Sequence, residues 1–341
     1  MLLSIVVPVY NELEVLPSLL TAVRRVMAGT RHSYEIILVD DGSVDGTTEA
    51  LKEAAARDSH VRVLLFSRNF GHQAAITAGL DFASGDAVAV IDADLQDPPE
   101  LLPEMMTLLE QGYDVVSAQR TTRSGEGRVK RYTAKLFYWI IRKLVDKRIQ
   151  PEVGDFRMFS RRAVTALRQL REQHRFMRGM VAWLGLKEAI LPYDRNPRLA
   201  GTTKYPMWKM LRFAWTAISS FSALPLRLSV FAGLFVAACG FGFAAYSVFA
   251  ALVLKATVPG WTSIVVLNII FSGATLIAIG LVGEYVARIY EEAKGRPLYV
   301  ITDTANVQIM EPYVAKAVIL PPPVGKPEPT YERAARKTNR L

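Results

Sequence analysis

Residues 228–254 carry no Asp, Glu, Lys or Arg, and neither do residues 256–283. At about 1.5 Å of rise per residue, about 20 apolar residues cross the hydrocarbon core of a bilayer. Each stretch exceeds that length. Only Lys255 and the turn-forming run Val258-Pro259-Gly260-Trp261 separate them usefully. Two helices buried in a soluble core are the alternative, and charge-free runs of this length argue against it. The pattern predicts a transmembrane hairpin over residues 227–290. Lys209, Arg212 and Arg227 precede it, and Arg288, Lys294 and Arg296 follow it. By the positive-inside bias both ends then face the cytoplasm, giving a multi-pass protein of the inner membrane. Residues 206–226, uncharged from Phe213 onward, read as an interfacial helix leading in.

The rest of the chain has a different pattern. Leu2 to Val9 is an apolar run without a basic flank, broken by Asn11-Glu12, so it reads as a buried strand and not a signal peptide. Helical spacing follows from about Val15 to Met27. The β-branched run Glu35 to Val39 stops at Asp40-Asp41-Gly42-Ser43. A helix over about 46–57 leads to the strand Val61–Phe66. Helical spacing from Gln73 to Phe82 precedes a strand at Ala87–Ile91, which stops at Asp92-Ala93-Asp94. Alternating strands and helices predict a doubly wound, parallel α/β sheet. Such sheets bind ligands beyond the carboxyl ends of their strands, where both Asp clusters fall.

Charge is unevenly spread. The whole chain carries +9, but residues 1–100 carry −8 and the remainder +17. That split does not suit a nucleic-acid binder. It suits a cation-using site beside something that meets phosphates or a membrane. The densest basic segment, 120–148, holds 10 basic and 2 acidic residues, interleaved with Tyr132, Phe137 and Trp139. It reads as a helix lying in the membrane interface, or else as a solvated basic helix packed on the domain. The segment 291–341 reads as a basic, Pro-rich cytoplasmic tail, extended or disordered from about 301. One cysteine, Cys239, excludes a disulfide framework and a Cys-based zinc site, and the four His show no metal-ligand spacing.

Asp92 and Asp94, with Gln96 and Asp97 just beyond, can hold Mg²⁺ or Mn²⁺ through one or two oxygens. Diphosphate oxygens and water would fill the other positions. A cation there stabilises a departing nucleoside diphosphate. Polar turns produce the same Asp pair, so the motif alone is weak. Asp40 and Asp41 can accept hydrogen bonds from a base or a ribose, or can form an Asx-type turn. Neither G-x-G-x-x-G nor a P-loop is present.

Taken in order, Val7-Pro8-Val9-Tyr10-Asn11-Glu12, Asp40-Asp41-Gly42-Ser43, Arg68-Asn69-Phe70-Gly71-His72 and Asp92-Ala93-Asp94-Leu95-Gln96-Asp97 resemble the motifs of family-2 GT-A glycosyltransferases. Gly154-Asp155-Phe156-Arg157, the run from Arg198 to Tyr205, and the hairpin narrow the resemblance to polyprenyl-phosphate glycosyltransferases, which include dolichol-phosphate mannose synthase and phage-type bactoprenol glucosyltransferase. It covers about residues 1–300.

The resemblance implies a mixed GT-A sheet over residues 1–205. Pro8, Tyr10, Glu12, Asp40, Asp41 and Asp92 map to the nucleotide. Asp92, Asp94 and Gln96 map to a Mg²⁺ or Mn²⁺ site. Asp155 maps to the reaction centre, and Arg120, Arg131, Arg198 and Lys204 to the acceptor phosphate. Arginine forks and a lysine suit a lipid phosphate. Relatives of this kind assemble as homo-oligomers, including tetramers. The Q-x-x-R-W motif of processive synthases is absent, which favours a single transfer. The expected activity is inverting transfer of one sugar, from UDP-glucose or a related UDP-sugar, to undecaprenyl phosphate at the cytoplasmic face. The rivals are a glycosyltransferase with another lipid or glycan acceptor, a non-catalytic sugar-nucleotide-binding membrane subunit, and a nucleotidyltransferase.

Overall fold

A computed structural model describes residues 1–121, 150, 153–194, 224–253, 260–307 and 318–319. Most of the basic segment 120–148 and residues 206–223 of the predicted interfacial helix, and with them Arg131, Arg198 and Lys204, lie outside the described residues, whereas residues 224–226 belong to the first apolar helix.

The first half alternates as the sequence predicts: β1 (Leu2–Val9), α1 (Leu16–Ala28), β2 (Ser33–Asp40), α2 (Thr47–Arg57), β3 (Val61–Phe66), α3 (His72–Phe82) and β4 (Ala87–Val90). A 3-10 turn, Pro99–Leu101, enters α4 (Leu102–Glu110). Then come β5 (Val115–Arg120), β6 (Val153–Ser160), α5 (Arg161–Gln169), α6 (Met177–Leu184) and β7 (Glu188–Tyr193). The apolar helices are α7 (Leu224–Leu252) and α8 (Trp261–Ala293), followed by β8 (Val300–Ala305) and β9 (Val318–Ile319).

The strands form one sheet in the order β7-β5-β6-β4-β1-β2-β3-β8-β9. The pairs β1–β2, β1–β4 and β2–β3 are parallel, whereas β6 runs antiparallel to both β4 and β5. The sheet is therefore mixed, and its parallel half has the near-continuous apolar strands expected when both faces are covered. One face packs Leu19 and Val23 of α1, Leu51 of α2 and Met105 of α4. The other packs Ala75 and Ile76 of α3, Leu167 of α5 and Met180 of α6. Helix α3 lies very close to the sheet. A Cβ on Gly79 would stand 2.0 Å from Val6 Cγ1. Ser160 caps α5, its hydroxyl accepting from Ala163 N at 3.2 Å.

The segment after the hairpin departs from the sequence reading. Residues 300–305, at the start of the tail read as extended or disordered, form β8 and pair antiparallel with β3. The physical reason is that β3 would otherwise be an edge strand with unpaired backbone groups. Tyr299 anchors the entry: it is 2% exposed and stacks on Phe66 at 5.2 Å between centroids.

Helices α7 and α8 contain windows of mean hydropathy 2.0 and 2.1. Their apolar side chains, such as Phe235, Leu234, Ile269 and Ile277, are exposed. Length and composition suit both for crossing a membrane. The polar end of α8 returns to the sheet domain. Glu292 Oε1 accepts from Gln173 N at 2.7 Å, Arg296 O accepts from Gln173 Nε2 at 2.6 Å, and His174 Nε2 stands 2.7 Å from Glu291 Oε2.

Candidate active site

Strand order reverses between β1 and β4, since β1 is followed by β2 and β3 on one side and by β4 on the other. A crevice is expected there, beyond the carboxyl ends of the strands. The loop after β1 brings Tyr10, Asn11 and Glu12, and the loop after β4 brings Asp92 to Asp97. Strand β6 supplies its opposite end. Its register pairs Val90 with Arg157, so Asp155, two residues earlier, lies level with Asp92. The parallel pair β5–β7 brings Arg120 and Tyr193 to the same end.

Both central loops hold a non-glycine residue in the left-handed region, Asn11 at φ 54 and Leu95 at φ 55. That conformation costs about 1 kcal/mol or more and persists where surrounding contacts impose it. Here the contacts are visible. Asn11 N donates to Ser43 Oγ at 2.9 Å, and Asn11 Oδ1 accepts from Val44 N at 2.9 Å. Leu95 separates Asp94 from Gln96, and Asp94 Oδ1 accepts from Gln96 N at 3.1 Å.

Asp40 and Asp41, expected at the nucleotide, are both buried. Asp40 accepts from Ser43 N at 2.9 Å and Thr48 Oγ1 at 2.5 Å. Asp41 Oδ1 accepts from Phe70 N at 2.6 Å and its Oδ2 from Gly71 N at 3.0 Å. Burial nevertheless pushes the Asp41 carboxyl up, against those bonds. Gly42, at φ +75, lets the loop lie against the backbone of Arg68, where a Cβ would approach to 2.7 Å. The two aspartates thus brace the loops after β2 and β3. Tyr10 is 40% exposed at the rim, and Pro8 stays in β1 opposite Val39.

The centre is a cluster of carboxylates around one histidine. His72 Nε2 lies 3.6 Å from Asp92 Oδ1 and 3.5 Å from Asp155 Oδ2. Burial acts to lower the His72 pKa, but its contact with Asp155 and the charges of Asp92 and Asp155 outweigh it and bring the pKa to about 9. Burial raises the Asp92 pKa to about 6, opposed by His72 and reinforced by Asp97, Asp155 and Asp94. Asp155 goes the other way. Burial disfavours its charge, yet Arg178, His72 and Arg157 hold it well below the usual carboxylate range. Gln73 Nε2 donates to Asp155 Oδ2 at 3.2 Å, and Arg178 Nε donates to Asp155 Oδ1 at 3.3 Å.

Beside it, the Tyr193 hydroxyl donates to Asp97 Oδ1 at 2.6 Å. Arg120 Nη2 stands 3.6 Å from the same oxygen, and Arg120 Nε donates to the Tyr193 hydroxyl at 3.2 Å. Arg120, expected at the acceptor phosphate, is therefore partnered by Asp97 and faces the carboxylate cluster. Asp97 Oδ2 is buried with no hydrogen-bond partner among the described residues.

This donor set fits a hard divalent cation. Asp92 and Asp94 are oxygen ligands two residues apart, and the crowding that raises the Asp92 pKa is the repulsion a cation relieves. Among the described residues no three His, Cys, Asp or Glu side chains form a ready cage.

Asp155, Asp92, Asp94, Gln96 and Arg120 thus meet at one end of the sheet. Sequence reasoning gave no role to His72, Gln73 or Tyr193, and it read Arg178, with Arg157 and the other arginines of 157–178, as contacts to lipid headgroups and not as part of the reaction centre. For His72 and Gln73 the signal was available: they open the helix that follows β3, at a strand carboxyl end. Arg178 and Tyr193 had none, because they arrive by long-range packing.

Residues 4–168 match the family described as Glycosyl transferase family 2. The chain is 44% identical over 305 residues to the uncharacterized glycosyltransferase YkcC of Bacillus subtilis, covering 89% of this chain and 94% of that one. It is 42% identical over 301 residues to the SfII prophage-derived bactoprenol glucosyl transferase of Shigella flexneri, covering 88% and 97%. A solved structure, glucosyl-3-phosphoglycerate synthase from Mycobacterium tuberculosis, superimposes with a TM-score of 0.46 at 22% identity, over 64% of this chain and 76% of that one.

Proposed function

The chain belongs to glycosyl transferase family 2, and from that premise we propose that it moves one sugar from a nucleotide diphosphate sugar to polyprenyl phosphate, with inversion, at the cytoplasmic face of the inner membrane. UDP-glucose or a related UDP-sugar is the proposed donor and undecaprenyl phosphate the proposed acceptor. The 42% identity to a bactoprenol glucosyl transferase over most of both chains supports the acceptor class.

The observation that carries the reading is the surroundings of Asp155, whose two oxygens lie against Arg178, Gln73 and His72. A hydroxyl acceptor needs a base poised near neutral pH. Asp155 is held ionised far below that, so it is a weak base. A lipid phosphate is already an anionic nucleophile and needs only orientation. Arg120 and Arg178 bring guanidinium groups to the cluster, as that task requires. Arg131, Arg198 and Lys204 are proposed to add the remaining positive charge around the phosphate.

Asp92, Asp94 and Gln96 would hold Mg²⁺ or Mn²⁺. When bound, the cation supplies charge stabilisation to the departing nucleoside diphosphate. Tyr10, at the rim, would flank the base, while Asp40 and Asp41 keep the binding loops in place. The apolar helices α7 and α8 would set the crevice at headgroup height.

The test uses the full chain in detergent micelles with radiolabelled UDP-glucose, Mg²⁺ or Mn²⁺, and undecaprenyl phosphate. A labelled, organic-extractable product is expected. Label appearing only on a water-soluble acceptor, with none extractable, refutes the acceptor assignment.

A further inference from the structure

We propose that Gln73 is a positioning residue that holds Asp155 in place and ties it to the end of the apolar helix α8. The inference rests on the reading of Asp155 as part of the reaction centre.

The path is continuous. The last turns of α8 grip the loop after α5 through the bonds from Glu292 and Arg296 to Gln173 and the contact of Glu291 with His174. Three residues later the chain enters α6. The first amides of a helix lack intrahelical partners. Phe176, at the cap position, offers no side-chain acceptor. Gln73 fills that role from another helix: its Oε1 accepts from Met177 N at 3.0 Å. The other half of the same amide, Nε2, donates to Asp155 Oδ2 at 3.2 Å.

Chemistry fixes the orientation of this amide. A backbone N–H can only donate and an ionised carboxylate can only accept, so a flipped amide would lose both bonds. The next residue after Met177, Arg178, reaches the other oxygen of Asp155. Asp155 is thus held between the start of α3 and the start of α6, and α6 follows a loop docked on α8. A misplacement of about 1 Å at a reacting group can cost about a hundredfold in rate. A residue that sets this position acts on turnover more than on donor binding.

Two variants separate the halves of the amide. Gln73→Met loses both bonds. Gln73→Glu keeps an acceptor for Met177 N but loses the donor to Asp155. In the full chain, kcat for transfer to polyprenyl phosphate is expected to fall about tenfold or more in both variants, with the nucleotide-sugar KM within about twofold of wild type. Exchange of the Met177 amide is expected to quicken in Gln73→Met only. Wild-type kcat in Gln73→Glu, or unchanged Met177 exchange in Gln73→Met, overturns the proposal. A donor KM that rises in step with the loss of kcat overturns it too. Wild type run alongside keeps the two readings apart. If wild type makes no lipid-linked product, the acceptor assignment fails, and Gln73 is then scored on nucleotide-sugar hydrolysis and on the Met177 amide.

Discussion

Replacing Arg171 by Met should destabilise the junction between the α8 end and the sheet more than Tyr299→Phe does. Arg171 clamps Asp81 with two bonds, Nη1 to Oδ2 at 2.7 Å and Nη2 to Oδ1 at 3.0 Å, and the Tyr299 hydroxyl donates to Oδ2 at 2.7 Å. The Asp81 side chain is 3% exposed and that of Arg171 15%. Removing Arg171 strands a buried carboxylate, which costs about 3–5 kcal/mol in comparable pairs. The low end applies here, because Arg175 also faces Asp81. Tyr299→Phe removes one bond to a charged group, about 1.5–3 kcal/mol, and keeps the stack on Phe66. At roughly 2–4 °C per kcal/mol for a domain of this size, Arg171→Met should lower the Tm by about 6–12 °C. Differential scanning fluorimetry in one detergent at one scan rate measures this. The reasoning has a sharper test in the triple change Asp81→Leu, Arg171→Met, Tyr299→Phe. Removing a buried ionic group whole is often neutral, so the triple variant should recover much of the loss. A triple variant no more stable than Arg171→Met would refute the account of a stranded charge.

Gly79→Ala should destabilise by about 1–3 kcal/mol through its clash with Val6, and Val6→Ala in the same chain should restore part of it in thermal melts. Excess Mn²⁺ should raise the Tm of wild type, by about 2.7 kcal/mol of binding free energy at a hundred times Kd, and should not do so in Asp94→Asn. The metal-free protein should lose stability as pH rises through about 9. The His72 pKa is raised in the fold, so its contribution is complete below its unfolded value of 6.5 and disappears above the folded one. Thermal melts of His72→Gln over the same range should show a flatter slope, and equal slopes would remove His72 as the cause.

Much of this was legible in the chain because the signals are local. Alternating apolar strands and helices gave the parallel half of the sheet, and the Asp clusters fell at strand ends where such sheets bind ligands. The hairpin followed from charge-free length alone. Strand β8 escaped because a run of six residues after an apolar helix carries almost no periodicity, and its partner β3 lies more than two hundred residues away. Tyr193 escaped for the same reason, and Arg178, read as a lipid-headgroup contact, lies instead against Asp155. What places them is packing of α6 and β7 against distant strands, and no spacing in the sequence encodes it. Asp40 and Asp41 show the converse. The sequence reads them as nucleotide contacts or as an Asx-type turn, and the structure adds bonds from their oxygens to the neighbouring loops.

The charge states in the crevice also restrict what can attack the sugar. Asp155 is ionised well below neutral pH and its oxygens already accept from Arg178 and Gln73. In the metal-free protein the neighbouring carboxylates of Asp155 and Asp92 raise the His72 pKa to about 9, which favours a ring that donates at neutral pH. An acceptor hydroxyl would have to lose its proton in this crevice: Asp155 and His72 are not suited to take it, and Asp92, brought to about 6 by burial, is the carboxylate proposed to hold the cation. A phosphate monoester arrives with its charge in place. Its approach would be opposed by the carboxylates and helped by Arg120 and Arg178, so the arginines should control acceptor KM. Polyprenol offered in place of polyprenyl phosphate should give no lipid-linked sugar. Arg178→Lys keeps a charge but loses the planar fork, and should raise the polyprenyl-phosphate KM several-fold or more with little change in donor KM. Efficient glycosylation of the free alcohol would show that a base does operate here, and would overturn the assignment of Asp155 as an orienting anion.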